Sequence, residues 1–189
     1  MSTSGHKTGV LHLKTHIKNL TQLFSVVAAL AVGNSAFAQA QQQFTVVVAD
    51  VLSITAPSDV SINHDGTDTN QAFAVTASNW AILSNQGSGA SVTFTTSGRF
   101  TNVVGANTFT RDYTMGLAVQ SDPDSVWDVV AGADLWESAT DGAVGTVQAE
   151  STGPGNADLG LAVTFVDDDF SQLPAGNYTL SVTATIVAN

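Results

Sequence analysis

The chain has 189 residues, 43% of them hydrophobic, with five basic residues against 16 acidic ones and a formal net charge of −11 at pH 7. A surface of this sign repels nucleic acid and anionic lipid, because binding to phosphate depends on lysine and arginine. There is no cysteine, so disulfides and thiol chemistry are excluded, and the fold must be held by burial.

Residues 1–38 have the pattern of a secretory signal peptide. Three lysines form a basic start, and an apolar stretch of 13 residues follows at Leu20–Val32. This stretch is shorter than the roughly 20 residues that span a membrane, and small residues at its exit are typical of a cleavage site. We expect cleavage after Ala38 or Ala40, an extracellular or cell-surface location in a bacterium, and no membrane span in the mature chain.

Removal of this segment makes the protein more acidic. All three lysines lie within it, so residues 39–189 keep Arg99 and Arg111 against all 16 acidic residues, a formal net charge of −14. A length of about 150 residues is enough for one domain with a core of its own. We therefore expect a single domain at 39–189 with no nucleic-acid partner.

The first predicted strand is FTVVVADVLSIT, at 44–55, which follows a glutamine-rich lead. An apolar strand near a free terminus can add to the sheet edge of another subunit. Phe44, Val46 and Val48 are therefore the candidate residues for assembly by strand exchange. Two alternatives stay open: the segment is the first strand of its own sandwich, or its first half exchanges while Leu52–Ile54 stays in place.

The rest of the mature chain also favours strands, with 19 valines and 19 threonines in residues 39–189. Both residue types are β-branched and pack well on a pleated sheet. Short segments bounded by turn residues recur along the chain. After 44–55 we predict strands at 59–62, 71–83, 90–96, 99–104, 111–120, 124–130, 142–150, 159–167 and 178–188. Nine or ten short strands predict an all-β fold, a single antiparallel β-sandwich of immunoglobulin-like or jelly-roll type.

The final predicted strand has the clearest alternation. Tyr178, Leu180, Val182, Ala184 and Ile186 occupy one face, and the threonines and serine between them occupy the other. Such alternation is typical of a strand with one buried and one solvated face. We expect this strand to close its own sandwich.

Several of the residue types that act in catalysis are rare or absent in the predicted mature chain. The mature chain has one histidine, His64, within the polar stretch NHDGTDTN, and it has neither lysine nor cysteine. A lone histidine in a polar loop is usually a solvated side chain, so we assign no catalytic residue and predict that the protein is not an enzyme. Glu137 and Glu150 are available as a carboxylate pair, but such pairs arise by chance in an acidic chain.

Calcium is the one cofactor that the acidic loops suggest. Hard cations prefer several oxygen ligands from flexible loops. Three clusters offer them: Asp65, Asp68 and Asn70; Asp122, Asp124 and Asp128; and Asp167, Asp168 and Asp169. None has EF-hand spacing, and acidic loop tips on an acidic protein explain them equally, so we assign no metal ligand.

Tryptophan offers a second route to a ligand, since exposed indole rings stack on sugars. Trp80 lies among strand residues, where core packing is the expected role. Trp127 and Trp136 flank VWDVVAGADLWES and are the candidate pair for a glycan platform.

The layout resembles a group of bacterial secreted surface proteins. An exported small-x-small signal, a first strand FTVVVADVLSIT, many threonine- and valine-rich strands and a closing PAGNYTLSVTATI strand are similar to pilin-like and spore-coat-U-type β-sandwich proteins. The paired cysteines common in such subunits are absent here. The resemblance implies a structural subunit of a fimbria or biofilm matrix, with no catalytic residues to carry over.

Two classes of function are therefore expected. The first is a secreted, non-enzymatic structural or adhesive cell-surface protein, a filament or matrix subunit that self-associates by β-strand addition. The alternative is a soluble extracellular binding module for a glycan or calcium.

Overall fold

The computed structural model describes residues 41–189, so the predicted signal peptide at 1–38 lies outside the described residues. Within this range the fold is all-β with antiparallel strand pairing, which confirms the predicted fold class. The strands are β1 (Leu52–Thr55), β2 (Gln71–Ala72), β3 (Asn79–Ser84), β4 (Ala90–Thr96), β5 (Phe100–Val104), β6 (Asn107–Arg111), β7 (Tyr113–Ser121), β8 (Trp127–Val129), β9 (Leu135–Glu137), β10 (Thr146–Ser151), β11 (Gly155–Phe165) and β12 (Val182–Ala188).

Helical structure in the described residues is confined to short segments. Helix α1 spans Ser138–Asp141, and 3-10 turns lie at Val75–Ala77 and Phe170–Gln172. Among residues 41–189, no helix has both the length and the apolar character needed to cross a membrane.

The strands form two main sheets and a hairpin. The first sheet has the order β1-β3-β11-β7-β9, with β2 also paired to β11, and the second has the order β12-β4-β10-β8. Strands β5 and β6 pair with each other, and Thr101 of β5 also forms an isolated antiparallel bridge with Thr179. The buried residues of both sheets belong to one apolar cluster, as expected when two sheets pack face to face.

Alternation along the central strands produces this core. In β4, Val92 and Phe94 are fully buried, whereas Thr93 and Thr95 lie on the solvent side. Leu159 of β11, in the opposite sheet, is also fully buried and belongs to the same cluster. Burial of each such side chain contributes roughly 1.5–3 kcal/mol relative to exposure, so the sandwich is stable without disulfides.

A buried polar link joins the two sheets at one end. Thr96 Oγ1 of β4 lies 2.5 Å from Tyr113 OH of β7. The Gly145 N–H donates to Thr96 Oγ1 at 2.7 Å, and Tyr113 OH donates to Ala143 O at 3.2 Å. The Thr96 hydroxyl is then left to donate to Tyr113, so each buried hydroxyl has its partners.

The described residues form twelve strands, which is more than the nine or ten predicted. No strand forms at 44–51 or 59–62, whereas the short strands Asn107–Arg111 and Leu135–Glu137 were not predicted. Gly105 has φ of +61°, which allows a tight turn between β5 and β6. The region 99–121, for which the sequence predicts two strands, therefore contains three: β5, β6 and β7.

The final strand ends at Ala188 as predicted but begins at Val182, four residues later than the predicted start at Tyr178. It pairs with β4, from Val182 opposite Thr96 to Ala188 opposite Ala90. All five apolar side chains predicted to face inward, from Tyr178 to Ile186, pack against the core, which confirms the prediction.

Gly89→Ala is expected to destabilise the fold by about 3 kcal/mol or more. Gly89 has φ of +85°, and an added Cβ would lie 1.9 Å from Ser151 O. The matched control is Gly105→Ala, where φ is +61° but nothing lies within 4 Å. The control should lose only about 1 kcal/mol, from backbone strain. Urea unfolding measures both values, and equal losses would contradict the steric account.

Candidate functional site

The assembly segment, defined here as residues 44–48, is the most exposed apolar stretch of the described chain. The exposed fractions are 83% for Phe44, 87% for Val46 and 76% for Val48. Among the other large apolar residues in 41–189, outside this segment, the highest value is 66%, at Val103. No strand is formed at 44–48, so its backbone donors and acceptors are not engaged in a sheet.

Asn85 determines where the first strand begins. Its side-chain oxygen accepts from the Val51 N–H at 2.7 Å, and its Nδ2 donates to Ala49 O at 2.8 Å. The Asn85 N–H also donates to Val51 O at 3.1 Å. Strand β3 ends at Ser84, opposite Leu52, so the chain N-terminal to Leu52 has no partner strand among the described residues. Only Leu52–Thr55 of the predicted strand 44–55 is therefore a strand.

The two sides of the sandwich differ in how their edges end. On one side the loop between β8 and β9 bonds both sheets, since Leu117 N–H donates to Asp134 O and Gln148 N–H donates to Ala133 O. On the other side β1 and β12 lie beside each other as the last strands of their sheets. Among residues 41–189, no further strand pairs with the outer edge of either one.

His64 is not the solvated loop residue that the sequence predicts. Its side chain is mostly buried, stacked on Phe170 with ring centroids 5.2 Å apart and edge-on to Phe165 at 5.9 Å. Nδ1 accepts from the Gly66 N–H at 3.1 Å, and Nε2 lies 3.2 Å from Asp167 Oδ2. Nδ1 is therefore engaged as an acceptor, whereas Nε2 and Asp167 Oδ2 are close together but have no partner with hydrogen-bond geometry among the described residues.

Asp167 is the buried charge around which this corner is built. Its side chain is fully buried, with Arg111 Nε 3.8 Å from Oδ1 on one side and His64 on the other. Arg111 also donates to Gln172 O at 2.7 Å. The second arginine, Arg99, is paired with Asp112 at 2.8 Å. Both arginines of residues 41–189 are thus engaged within the fold.

The acidic loops use their oxygens to bind their own backbone. Asp68 Oδ1 accepts from the Phe170 N–H at 2.7 Å, and Asn70 Oδ1 accepts from the Asp167 N–H at 3.0 Å. These two hydrogen bonds join the loop at 63–70 to the loop at 166–172. In the sequence, the acidic residues of these loops belong to two separate clusters. In the second cluster, Asp122 Oδ2 accepts from the Trp127 N–H at 2.8 Å.

The calcium hypothesis therefore finds no converging ligand set. Within residues 41–189 no three histidine, cysteine or acidic side chains come together as a metal-binding group. A shallow cleft of about 230 Å³ lies beside the third cluster, lined by Arg111, Asp112 and Asp167–Asp169 among others. Two carboxylates of the cleft wall already have a cationic partner: Asp167 is paired with Arg111, and Asp112 is paired with Arg99.

The tryptophan pair does not form a glycan platform. Trp127 is 3% exposed, and its Nε1 donates to Gly155 O at 3.4 Å. Trp136 is half-buried against Gly145, with Nε1 donating to Gly142 O at 3.0 Å. Trp80 packs edge-on against Phe94 at 5.3 Å, which confirms its predicted core placement.

Comparison with known proteins adds no identification, since no family model, no curated protein and no solved structure matches this chain. The resemblance to pilin-like and spore-coat-U-type proteins therefore stays a prediction. The geometry leaves two features without a partner in the described chain: the assembly segment and the open edges of β1 and β12.

Arg111→Met is expected to reduce the free energy of unfolding by about 3 kcal/mol, because it removes one of the two partners of a buried carboxylate. The double variant Arg111→Met/Asp167→Asn removes both charges and should recover part of this loss. Urea unfolding at pH 7 measures both variants. Equal losses in the single and double variants would show that Asp167 carries no uncompensated charge when Arg111 is absent.

Asp65 should contribute a pH-dependent part of the stability. Hydrogen bonds from the Thr67 hydroxyl and then from the Thr67 N–H hold the pKa of Asp65 well below its usual range. The stabilisation is present above the unfolded pKa of about 3.9 and is lost as pH falls through the lower folded pKa. Melting temperatures of wild type and Asp65→Asn should therefore differ at pH 6 and converge in strong acid. A constant difference would contradict this assignment.

Proposed function

We propose that the protein is a secreted, non-enzymatic structural or adhesive cell-surface protein that self-associates by β-strand addition. The observation that carries the proposal is the assembly segment: Phe44, Val46 and Val48 are apolar, occupy alternate positions and are more than three-quarters exposed. Exposed apolar surface of this extent in an exported protein favours a partner, because its burial releases about 25 cal/mol per Å².

Backbone chemistry supports the same conclusion. The assembly segment is outside any sheet, and strands β1 and β12 each have an outer edge with no partner strand in the described chain. A segment added to such an edge gains main-chain hydrogen bonds, and its alternate side chains gain contacts. The sheet edge supplies backbone hydrogen-bond partners for the segment, and the segment supplies them for the edge.

Charge supports self-association at this segment in particular. Residues 39–189 carry a formal net charge of −14, which opposes the approach of two copies. Residues 39–49 contain no charged side chain, and the first acidic residue is Asp50. This segment can therefore approach a second copy with little local repulsion.

The predicted signal peptide supports an extracellular or cell-surface location in a bacterium, where disulfides are permitted but not required. The alternative function, a soluble binding module for glycan or calcium, has weaker support. The indole of Trp127 is buried, and carboxylates of all three acidic clusters accept hydrogen bonds from backbone or side-chain donors.

The proposal is tested with the mature chain beginning at Gln39. Phe44→Asp/Val46→Asp/Val48→Asp should abolish higher-order species or reduce their fraction about tenfold or more, because three exposed apolar contacts are replaced by charges. Light scattering after size exclusion, across a range of protein concentrations, gives the distribution, and electron microscopy gives the shape of the assemblies.

The matched control changes the neighbouring glutamines, Gln41→Asp/Gln42→Asp/Gln43→Asp, which adds the same charge without removing apolar surface. It should assemble as the wild type does. A wild type that is monomeric at every concentration would refute the proposal, as would equal loss of assembly in both triple variants. Melting temperatures should stay close to wild type, since the altered side chains are exposed.

A further inference from the structure

Among residues 41–189, no strand pairs with the backbone groups along the outer edge of β12. Ser97 N–H donates to Ser181 O at 2.8 Å, and Asn189 N–H donates to Gly89 O at 3.0 Å. These bonds set the phase of the pairing with β4, in which odd-numbered residues bond β4. Val182, Ala184, Ile186 and Ala188 therefore direct their N–H and C=O groups away from β4.

This edge lacks the features that usually prevent strand pairing. The strands at the other ends of the two main sheet orders are short, with four residues in β1 and three each in β8 and β9, and the strands of the β5-β6 hairpin have five residues each. Strand β12 has seven residues, VTATIVA, with no charge, proline or glycine. A long, uncharged, β-branched edge is the type that pairs with another strand.

We infer that β12 binds the β12 of a second copy of this chain, antiparallel across a two-fold axis beside Thr185. Val182 of one copy then lies opposite Ala188 of the other, and Ala184 lies opposite Ile186. The outward N–H and C=O groups of all four residues find partners. The two four-stranded second sheets become one sheet of eight strands.

Side-chain sizes favour this register. On the core-facing side each larger residue lies opposite an alanine: Val182 opposite Ala188, and Ile186 opposite Ala184. The inward-facing side chains of the two copies therefore fit beside each other without a clash. On the solvent side Thr185 meets Thr185. A shift by two residues would instead place Ile186 opposite Ile186, or Ala184 opposite Ala184, and leave an end unpaired. A shift by one would align the outward groups of one strand with the inward groups of the other.

A second copy fits this edge better than the assembly segment does. A segment added to β12 would itself form a new unpaired edge, whereas two β12 strands leave none at this place. No charged side chain lies in either strand, so the pairing avoids repulsion between two acidic molecules. A two-fold interface is also self-complementary and closed. The contact is separate from the proposed addition of residues 44–48.

Ala184→Pro tests the contact in the mature chain. Proline is tolerated at an edge whose N–H faces solvent, and the Ala184 N–H makes no bond to β4, so the monomer should remain folded. The dimer dissociation constant should rise about tenfold or more, because two hydrogen bonds are lost and the ring obstructs the partner strand. The matched control, Ala184→Ser, keeps the N–H and should dimerise as wild type does.

Amide hydrogen exchange of the wild type gives a second, independent readout. On dilution the amides of Val182, Ala184, Ile186 and Ala188 should lose protection, while those of Thr183, Thr185 and Val187 stay protected by β4. Exchange of these even-numbered amides that does not change with concentration would overturn the inference.

The variants also separate this inference from the proposed function. If the triple aspartate variant at 44, 46 and 48 still forms the β12 dimer and Ala184→Pro does not, the inference stands. If either change abolishes the same species, the assembly segment occupies the β12 edge. That outcome overturns the β12 pairing and leaves the proposed function intact.

Discussion

Apolar burial between the two sheets is the interaction on which every other feature of this molecule depends. The chain has no cysteine, so the inward rows of the central strands, including Phe94 and Leu159, must hold the sheets together. The sheet orders that result place β4, β7, β10 and β11 inside and leave β1 and β12 at the edges. The open side of the sandwich is therefore a consequence of where the core is.

Polar and charged groups act as positioning elements around that core. The hydroxyls of Thr96 and Tyr113 bridge the sheets, and Asp167 with Arg111 and His64 ties a corner together. The two hydroxyls are hydrogen-bonded, and Asp167 lies within ion-pair distance of Arg111 and His64, so these contacts favour one arrangement of the loops. The uncharged stretches, residues 44–48 and β12, remain the surfaces at which an acidic protein can meet another copy.

Much of the fold could be predicted from the sequence, because a period of two is visible locally. The inward row from Tyr178 to Ile186 and the alternation of β4 needed no knowledge of their partners. The site around His64 could not be found this way, since Asp167 and Phe170 lie about a hundred residues further along the chain. The strand predicted at 44–51 does not form for a related reason. Its side chains favour a strand, but the partner strand β3 ends at Ser84, opposite Leu52.

Strand β4 joins parts of the chain that are far apart in sequence. Ser91 bonds Glu150 and Asn189, which lie 59 and 98 residues away. Strands β10 and β12 can pair with β4 only after long loops of chain close. The entropic cost of this closure raises the folding barrier and so slows folding. One edge of β4 therefore stays unpaired until β10 docks, and the other stays unpaired until β12, the last strand, docks. During folding, this strand is the one that most needs protection from premature contact with other chains.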